Sequence, residues 1–187
     1  MAVFALLAGC GGDDDDNETT APAGGGGGSA TAGVYVGEVG GTNHLIALVT
    51  DGGTRLSGAY LCNPQGTSQW IKPAPLQGGK AALVARRGTD LGSAQFSGDT
   101  ATGTITSGGE RQFTATLASG YAGLYRITGG TVNKPGFSET GWIALPDGAV
   151  CGSTNTITAG GGFESKPASS KPEGSGRVTN FADPFPF

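Results

Sequence analysis

Short apolar runs separated by glycine-rich turns recur along the chain from residue 33 to residue 151. In two of them, residues 102–106 and 112–116, polar residues alternate strictly with small or apolar ones. Most of these polar residues carry a hydroxyl group. Because side chains of a strand point alternately to its two faces, this pattern predicts antiparallel pairing with one buried and one solvated face. Helices are not favoured, since glycine accounts for 37 of the 187 residues and charged residues for only 14%.

The same reasoning predicts nine or ten short strands. They cover residues 34–36, 44–50, 55–62, 68–71, 80–86, 91–97, 101–106, 111–117, 121–128 and 142–145. Strands this short at hairpin spacing predict an all-β fold, in which an antiparallel meander closes into a small barrel. A two-sheet β-sandwich is the alternative. Closure into a barrel removes exposed sheet edges, and in-strand glycines such as Gly58 and Gly103 permit its sharp bends.

A short pattern near the start of this region is repeated near its end. The segment AGVY at residues 32–35 is followed by an apolar run and Asp51-Gly52, and AGLY at residues 122–125 is followed by a similar run and Asp147-Gly148. Each copy then reaches a cysteine. The repeat predicts that the first and last hairpins are neighbours that close the sheet. Chance similarity in a glycine-rich chain is the alternative.

The N-terminal sequence predicts a location outside the cytoplasm. Residues 7–10, Leu-Ala-Gly-Cys, resemble the lipobox of bacterial lipoproteins. Residues 1–9 are interpreted as a truncated lipoprotein signal peptide, because an apolar stretch is present and a basic n-region is not. The resemblance implies cleavage before Cys10 and acylation of its thiol, for example with palmitate. The expected location is the periplasmic or extracellular face of a bacterial membrane.

Low-complexity segments flank the expected β domain, which spans residues 32–159. Residues 10–31 combine an acidic run with five consecutive glycines, so they bury too little to offset chain entropy and are expected to form a flexible linker. Residues 160–187 are expected to be mostly disordered. Their end contains three phenylalanines and is expected to fold back over an apolar opening of the barrel, or to dock a partner.

The number of cysteines is consistent with a location outside the cytoplasm. With Cys10 assigned to lipid, Cys62 and Cys151 remain as an even pair, which in an oxidising compartment predicts a disulfide. Two buried free thiols are the alternative. No metal site or cofactor is expected, since His44 is the only histidine and the ligand spacing does not suit zinc.

No catalytic residue is identified in the sequence. The sequence contains no nucleophile motif for which His44 could act as the general base, and most carboxylates of the expected domain fall in turns. A net charge of −4 with a single adjacent basic pair, Arg86-Arg87, argues against nucleic acid as a partner. No apolar run approaches the roughly 20 residues of a membrane-spanning helix.

Binding is the more plausible activity on composition. Aromatic side chains are numerous enough to line a barrel mouth or a carbohydrate-stacking face, and core filling is the alternative role. Trp70, in a polar setting, and Tyr60 are the candidate ligand contacts. Trp142 and Tyr125 are expected in the core.

Five segments together resemble a recurring, uncharacterised extracytoplasmic β domain of bacterial lipoproteins and membrane proteins. They are GVYVG at 33–37, AYLC at 59–62, FTAT at 113–116, AGLYR at 122–126 and GWIALPDG at 141–148. The resemblance implies a compact β module and brings no catalytic residues. We therefore expect a membrane-anchored envelope lipoprotein with a binding or structural module, whose partner is an envelope protein or a carbohydrate. A secreted hydrolase or inhibitor with an unrecognised site is the alternative.

Overall fold

The computed structural model describes residues 29–168 and 176–178, and within these ranges the regular structure is entirely β. The strands are β1 (Gly33–Val39), β2 (Leu45–Thr50), β3 (Arg55–Cys62), β4 (Ser68–Ile71), β5 (Ala74–Pro75), β6 (Lys80–Val84), β7 (Asp90–Ser97), β8 (Thr100–Ile105), β9 (Arg111–Leu117), β10 (Gly123–Gly129), β11 (Ser138–Ala144), β12 (Val150–Ile157), β13 (Phe163–Pro167) and β14 (Gly176–Arg177). Among the described residues, no helix is long and apolar enough to cross a membrane.

The first nine strands form an antiparallel meander that closes on itself. The hydrogen-bonded order is β4-β3-β2-β1-β9-β8-β7-β6, and β5 pairs with β3 beyond the end of β4. The first and last strands of the meander meet when β1 pairs with β9, where Tyr35 lies opposite Leu117. On the other side, Ile71 of β4 bridges Ala85, directly after β6. The predicted closed meander is confirmed.

The interior of the barrel is filled by apolar side chains. Its largest members are fully buried: Tyr35, Ile46, Leu48, Leu56, Ile71, Leu83, Leu91 and Phe96. The rings of Tyr35 and Phe96 meet edge to face, with centroids 5.2 Å apart. Glycine lets the backbones approach where the barrel closes, because a Cβ on Gly37 of β1 would lie 2.0 Å from the carbonyl oxygen of Thr114 in β9. The barrel interior is therefore a packed core.

The remaining strands form a second sheet that covers one outer face of the barrel. Its order is β13-β12-β11-β10-β14. The interface core joins barrel residues such as Val36 and Ala47 to Leu124 and Ile143 of the second sheet. Every residue of β2 is buried, as expected of a strand that is covered on both faces.

A disulfide joins the two sheets covalently. Cys62 at the end of β3 is bonded to Cys151 in β12, with their Cα atoms 6.1 Å apart. Both cysteines are buried in the interface between the sheets. The predicted pairing of these two residues is present, and it crosses from the barrel to the second sheet.

The predicted closure by the first and last hairpins is wrong, although the repeat is visible in the structure. The barrel closes through β9, and the β10–β11 hairpin packs face to face on β1, β2 and β3. The Oη atoms of Tyr35 and Tyr125 each donate to a carbonyl four residues upstream, and the repeat-related Val34 and Leu124 both belong to the interface core. The repeated segments therefore present equivalent faces to each other.

The predicted Asp-Gly hairpin between β2 and β3 is present. Asp51 organises its turn by accepting hydrogen bonds from the backbone N–H groups of Gly53, Thr54 and Arg55. These bonds, that of Gly53 above all, hold the pKa of Asp51 at about 2. The turn is thus fixed by its own side chain, as Asx turns are.

The β structure extends beyond the predicted domain end at residue 159. Strand β13 pairs with β12, and β14 pairs with β10. The sequence does not reveal β12 and β13 because hydroxyl contacts replace apolar alternation: Thr140 bonds Thr154, and Ser153 bonds Ser165, each at 2.8 Å. The lipobox with Cys10, most of the linker and the terminal phenylalanines lie outside the described residues.

The double variant Cys62→Ser/Cys151→Ser should lose about 4 kcal/mol of unfolding free energy, because the bond restrains a long loop in the unfolded chain. The two cysteines are 89 positions apart in the sequence. Urea denaturation monitored by tryptophan fluorescence provides the measurement. Reduced wild-type protein serves as the control and should match the variant. Equal stability of the oxidised wild type and the variant would show that the disulfide does not stabilise the fold.

Candidate functional site

A cavity of about 590 Å³ opens at the seam between the barrel and the second sheet. The barrel contributes residues 65–70 and the turn after β6, at residues 85–87 and 89. The second sheet contributes Glu139 of β11, Asn155 of β12, and Phe163 and Ser165 of β13. The cavity lies outside the barrel core and belongs to the junction of two sheets. Its volume is in the range of small-molecule binding sites.

The loop between β3 and β4 is a rigid wall of this cavity. Asn63 Oδ1 accepts a hydrogen bond from the backbone N–H of Thr67 at 2.9 Å, and Gly66 has a positive φ of 87°. Ser165 of β13 donates to the Gly66 carbonyl at 3.0 Å. A Cβ on Gly66 would lie 2.7 Å from Pro167, so glycine lets the loop dock closely on the second sheet.

A buried ion cluster forms the floor between the two sheets. Glu139, only 1% exposed, accepts hydrogen bonds from Arg86 Nη1 at 2.7 Å and Arg126 Nε at 2.6 Å. Burial lowers the pKa of Arg86 to about 10, so its guanidinium remains charged at neutral pH. Because Arg86 follows β6 and Glu139 lies on β11, the pair links the barrel to the second sheet.

Trp70, a candidate ligand contact from the sequence, lines this cavity with 5% of its surface exposed. The guanidinium carbons of Arg86 and Arg126 lie 5.0 and 5.9 Å from its ring centroid, within cation–π range. A Cβ on Gly141 would lie 2.7 Å from the Trp70 ring, so glycine in β11 makes room for the indole. The tryptophan is therefore held in one position from several sides.

Tyr60, the other candidate, lies behind Trp70 and does not line the cavity. It is 0% exposed, and its ring centroid is 4.3 Å from that of Trp70. Burial raises the pKa of its phenol. Trp142 and Tyr125 are buried, as expected, in a separate small cluster of the second sheet.

The neutral part of the lining is rich in hydrogen-bonding groups. Gln69 Oε1 is buried and has no hydrogen-bond partner among the described residues. Ser68 Oγ accepts a bond from Asn155 Nδ2 at 3.2 Å, across the seam. Amide and hydroxyl groups beside an indole are the groups that proteins use to bind hydroxylated ligands.

Among the described residues, the lining of the cavity contains neither a second carboxylate nor a histidine that could act as a base. Glu139 is the one carboxylate among the described residues that line the cavity, and both of its oxygens accept hydrogen bonds from arginines. His44 lies elsewhere, beside Asn63, and burial lowers its pKa. No group of three or more potential metal ligands occurs in the described ranges.

Sequence reasoning missed the ion cluster. Arg86 was weighed only as half of a basic pair, and Glu139 and Arg126 were not singled out as site residues. One signal was available: Glu139 precedes the run TGWIA within a buried strand, and an acidic residue there needs a partner. The identity of that partner depends on the pairing of distant strands, which the sequence did not reveal.

Comparisons of the chain with protein-family models, with curated proteins and with solved structures found no match. The resemblance to extracytoplasmic lipoprotein domains therefore stays a prediction.

Glu139→Gln should cost about 3 kcal/mol or more of unfolding free energy, because it leaves two largely buried guanidinium groups without their shared carboxylate. Chemical denaturation at neutral pH measures the loss. Glu110→Gln is the matched control, since Glu110 is exposed in the turn before β9, and it should change stability little. Equal effects of the two substitutions would show that the cluster does not join the sheets.

Proposed function

We propose that the chain is a lipid-anchored envelope protein whose β module binds a small hydroxylated ligand of the saccharide class in the seam cavity. The observation that carries the proposal is the lining, in which amide and hydroxyl side chains occur together with a tryptophan whose ring is packed against an arginine. The barrel interior is packed, whereas the seam holds a cavity of about 590 Å³.

The cellular location in this proposal rests on two features of the sequence and one of the fold. The lipobox at residues 7–10 provides the anchor, and the acidic and glycine-rich linker provides reach from a membrane surface. The Cys62–Cys151 disulfide favours an oxidising compartment. A bacterial membrane facing the periplasm or the outside satisfies all three.

A binding role is favoured over hydrolysis by the state of the cavity's carboxylate. Glycoside hydrolysis in most families uses two carboxyl groups, one as acid and one as base or nucleophile. The described lining supplies one carboxyl group, that of Glu139, and its oxygens accept charge-assisted hydrogen bonds from Arg86 and Arg126. A carboxylate so held supports the structure of the cavity better than it supports proton transfer.

The anchor is tested by metabolic labelling with palmitate in a bacterial host. Wild-type protein should be labelled and recovered with membranes, whereas Cys10→Ser should be unlabelled, because the thiol is the acylated group. The double variant Cys62→Ser/Cys151→Ser is the control and should label as the wild type does. Labelling of Cys10→Ser at the wild-type level would refute the anchor.

The binding site is tested by screening the full chain on a glycan array. Thr67→Trp should abolish binding, because Thr67 is exposed on the cavity wall and the larger side chain fills the space. Thr131→Trp adds the same side chain at an exposed position between β10 and β11, outside the cavity, and should leave the array pattern unchanged. Binding that survives Thr67→Trp would place the ligand elsewhere.

A further inference from the structure

We propose that the ligand of the seam cavity is anionic as well as hydroxylated, a sugar that carries a carboxylate or phosphate group, and that Arg87 binds this group. The inference rests on the proposed binding function and specifies its ligand class. Three features of the cavity support it: the balance of charge in its lining, the geometry of Arg87, and the buried acceptor of Gln69.

Positive charge outweighs negative charge in the described lining. Arg86 and Arg87 follow β6 on the barrel wall, and Glu139 is the carboxylate opposite. Both oxygens of Glu139 accept hydrogen bonds from guanidinium groups within the protein, so the carboxylate does not present a free anionic face to the cavity. The whole chain, in contrast, has a formal net charge of −4. A concave site with locally excess positive charge attracts anions.

The side chain of Arg87 is positioned across the seam. Its guanidinium carbon lies 4.5 Å from the ring centroid of Phe163, so a cation–π contact joins a barrel residue to a residue of the second sheet. A guanidinium carries five N–H donors, and in this position they can bind a carboxylate or phosphate of a ligand with paired hydrogen bonds. Arg87 is itself exposed and can therefore meet a ligand that enters from solvent.

Gln69 supplies the second element of recognition. Gln69 is part of the same lining, and its Oε1 is buried and has no hydrogen-bond partner in the described part of the chain. A buried carbonyl oxygen without a donor is unfavourable, and a ligand hydroxyl would supply one. The cavity thus combines a cation, Arg87, with a hydrogen-bond acceptor, Gln69. These groups suit a ligand that carries both an anionic group and hydroxyl groups, as an acidic or phosphorylated sugar does.

Three ligands that share one pyranose ring test the inference: glucose, glucuronate and glucose 6-phosphate, each titrated calorimetrically into the full chain. At least one of the anionic sugars should bind about tenfold or more tightly than glucose, as expected for a charge-assisted contact. The tighter of the two identifies the anionic group as carboxylate or phosphate. Arg87→Gln should weaken binding of this anionic sugar about tenfold or more, because the charge-assisted contact is lost.

Arg111→Gln is the matched control, because Arg111 is exposed at the start of β9 and does not line the cavity. It should preserve the preference for the anionic sugar. Equal binding of all three ligands would overturn the inference and leave the proposed function standing. A preference that survives Arg87→Gln would overturn the assignment of this residue. Failure of all three to bind would count against the proposed function and the inference together.

Discussion

The contact between the outer face of the barrel and the second sheet is the interaction on which the rest of this structure depends. It buries β2 on both faces and explains why this strand reads as a continuous apolar run. The Cys62–Cys151 disulfide and the Arg86–Glu139 ion pair cross the same seam, one covalently and one electrostatically. Separating the sheets would expose the apolar interface and leave the buried carboxylate of Glu139 without the guanidinium of Arg86, so the two sheets are expected to unfold together.

The same seam creates the cavity in which we place the proposed ligand. A small barrel fills its own interior with side chains, and here the rings of Tyr35 and Phe96 pack against each other inside it. Where the second sheet diverges from the barrel near β4, the opposing walls come from strands distant in sequence. Such a junction brings a tryptophan, an amide and arginines together although the local sequence around each is unremarkable.

Much of the fold was predictable because it depends on local signals. Alternation and glycine turns identified most strands of the barrel, and Asp51 marked the turn of its β2–β3 hairpin. The second sheet was only half predicted, since β12 and β13 are held by hydroxyl pairs such as Ser153 with Ser165, which leave no apolar periodicity. Of the two candidate ligand contacts identified in the sequence, only Trp70 lines the cavity. Glu139 and Arg126 acquire their role from strand pairing and sheet packing, and those long-range choices are not encoded in any short window.

The central claim is that ligand binding takes place at the seam. It is tested most directly by mapping backbone amide shifts of the isotopically labelled chain during titration with the tighter-binding of glucuronate and glucose 6-phosphate. The account predicts shifts that cluster on both walls of the cavity, at residues 65–70 and 85–87 of the barrel and at Asn155 and residues 163–165 of the second sheet. Shifts confined to the separate depression lined by Glu38, Gln112 and Asp147 would contradict it.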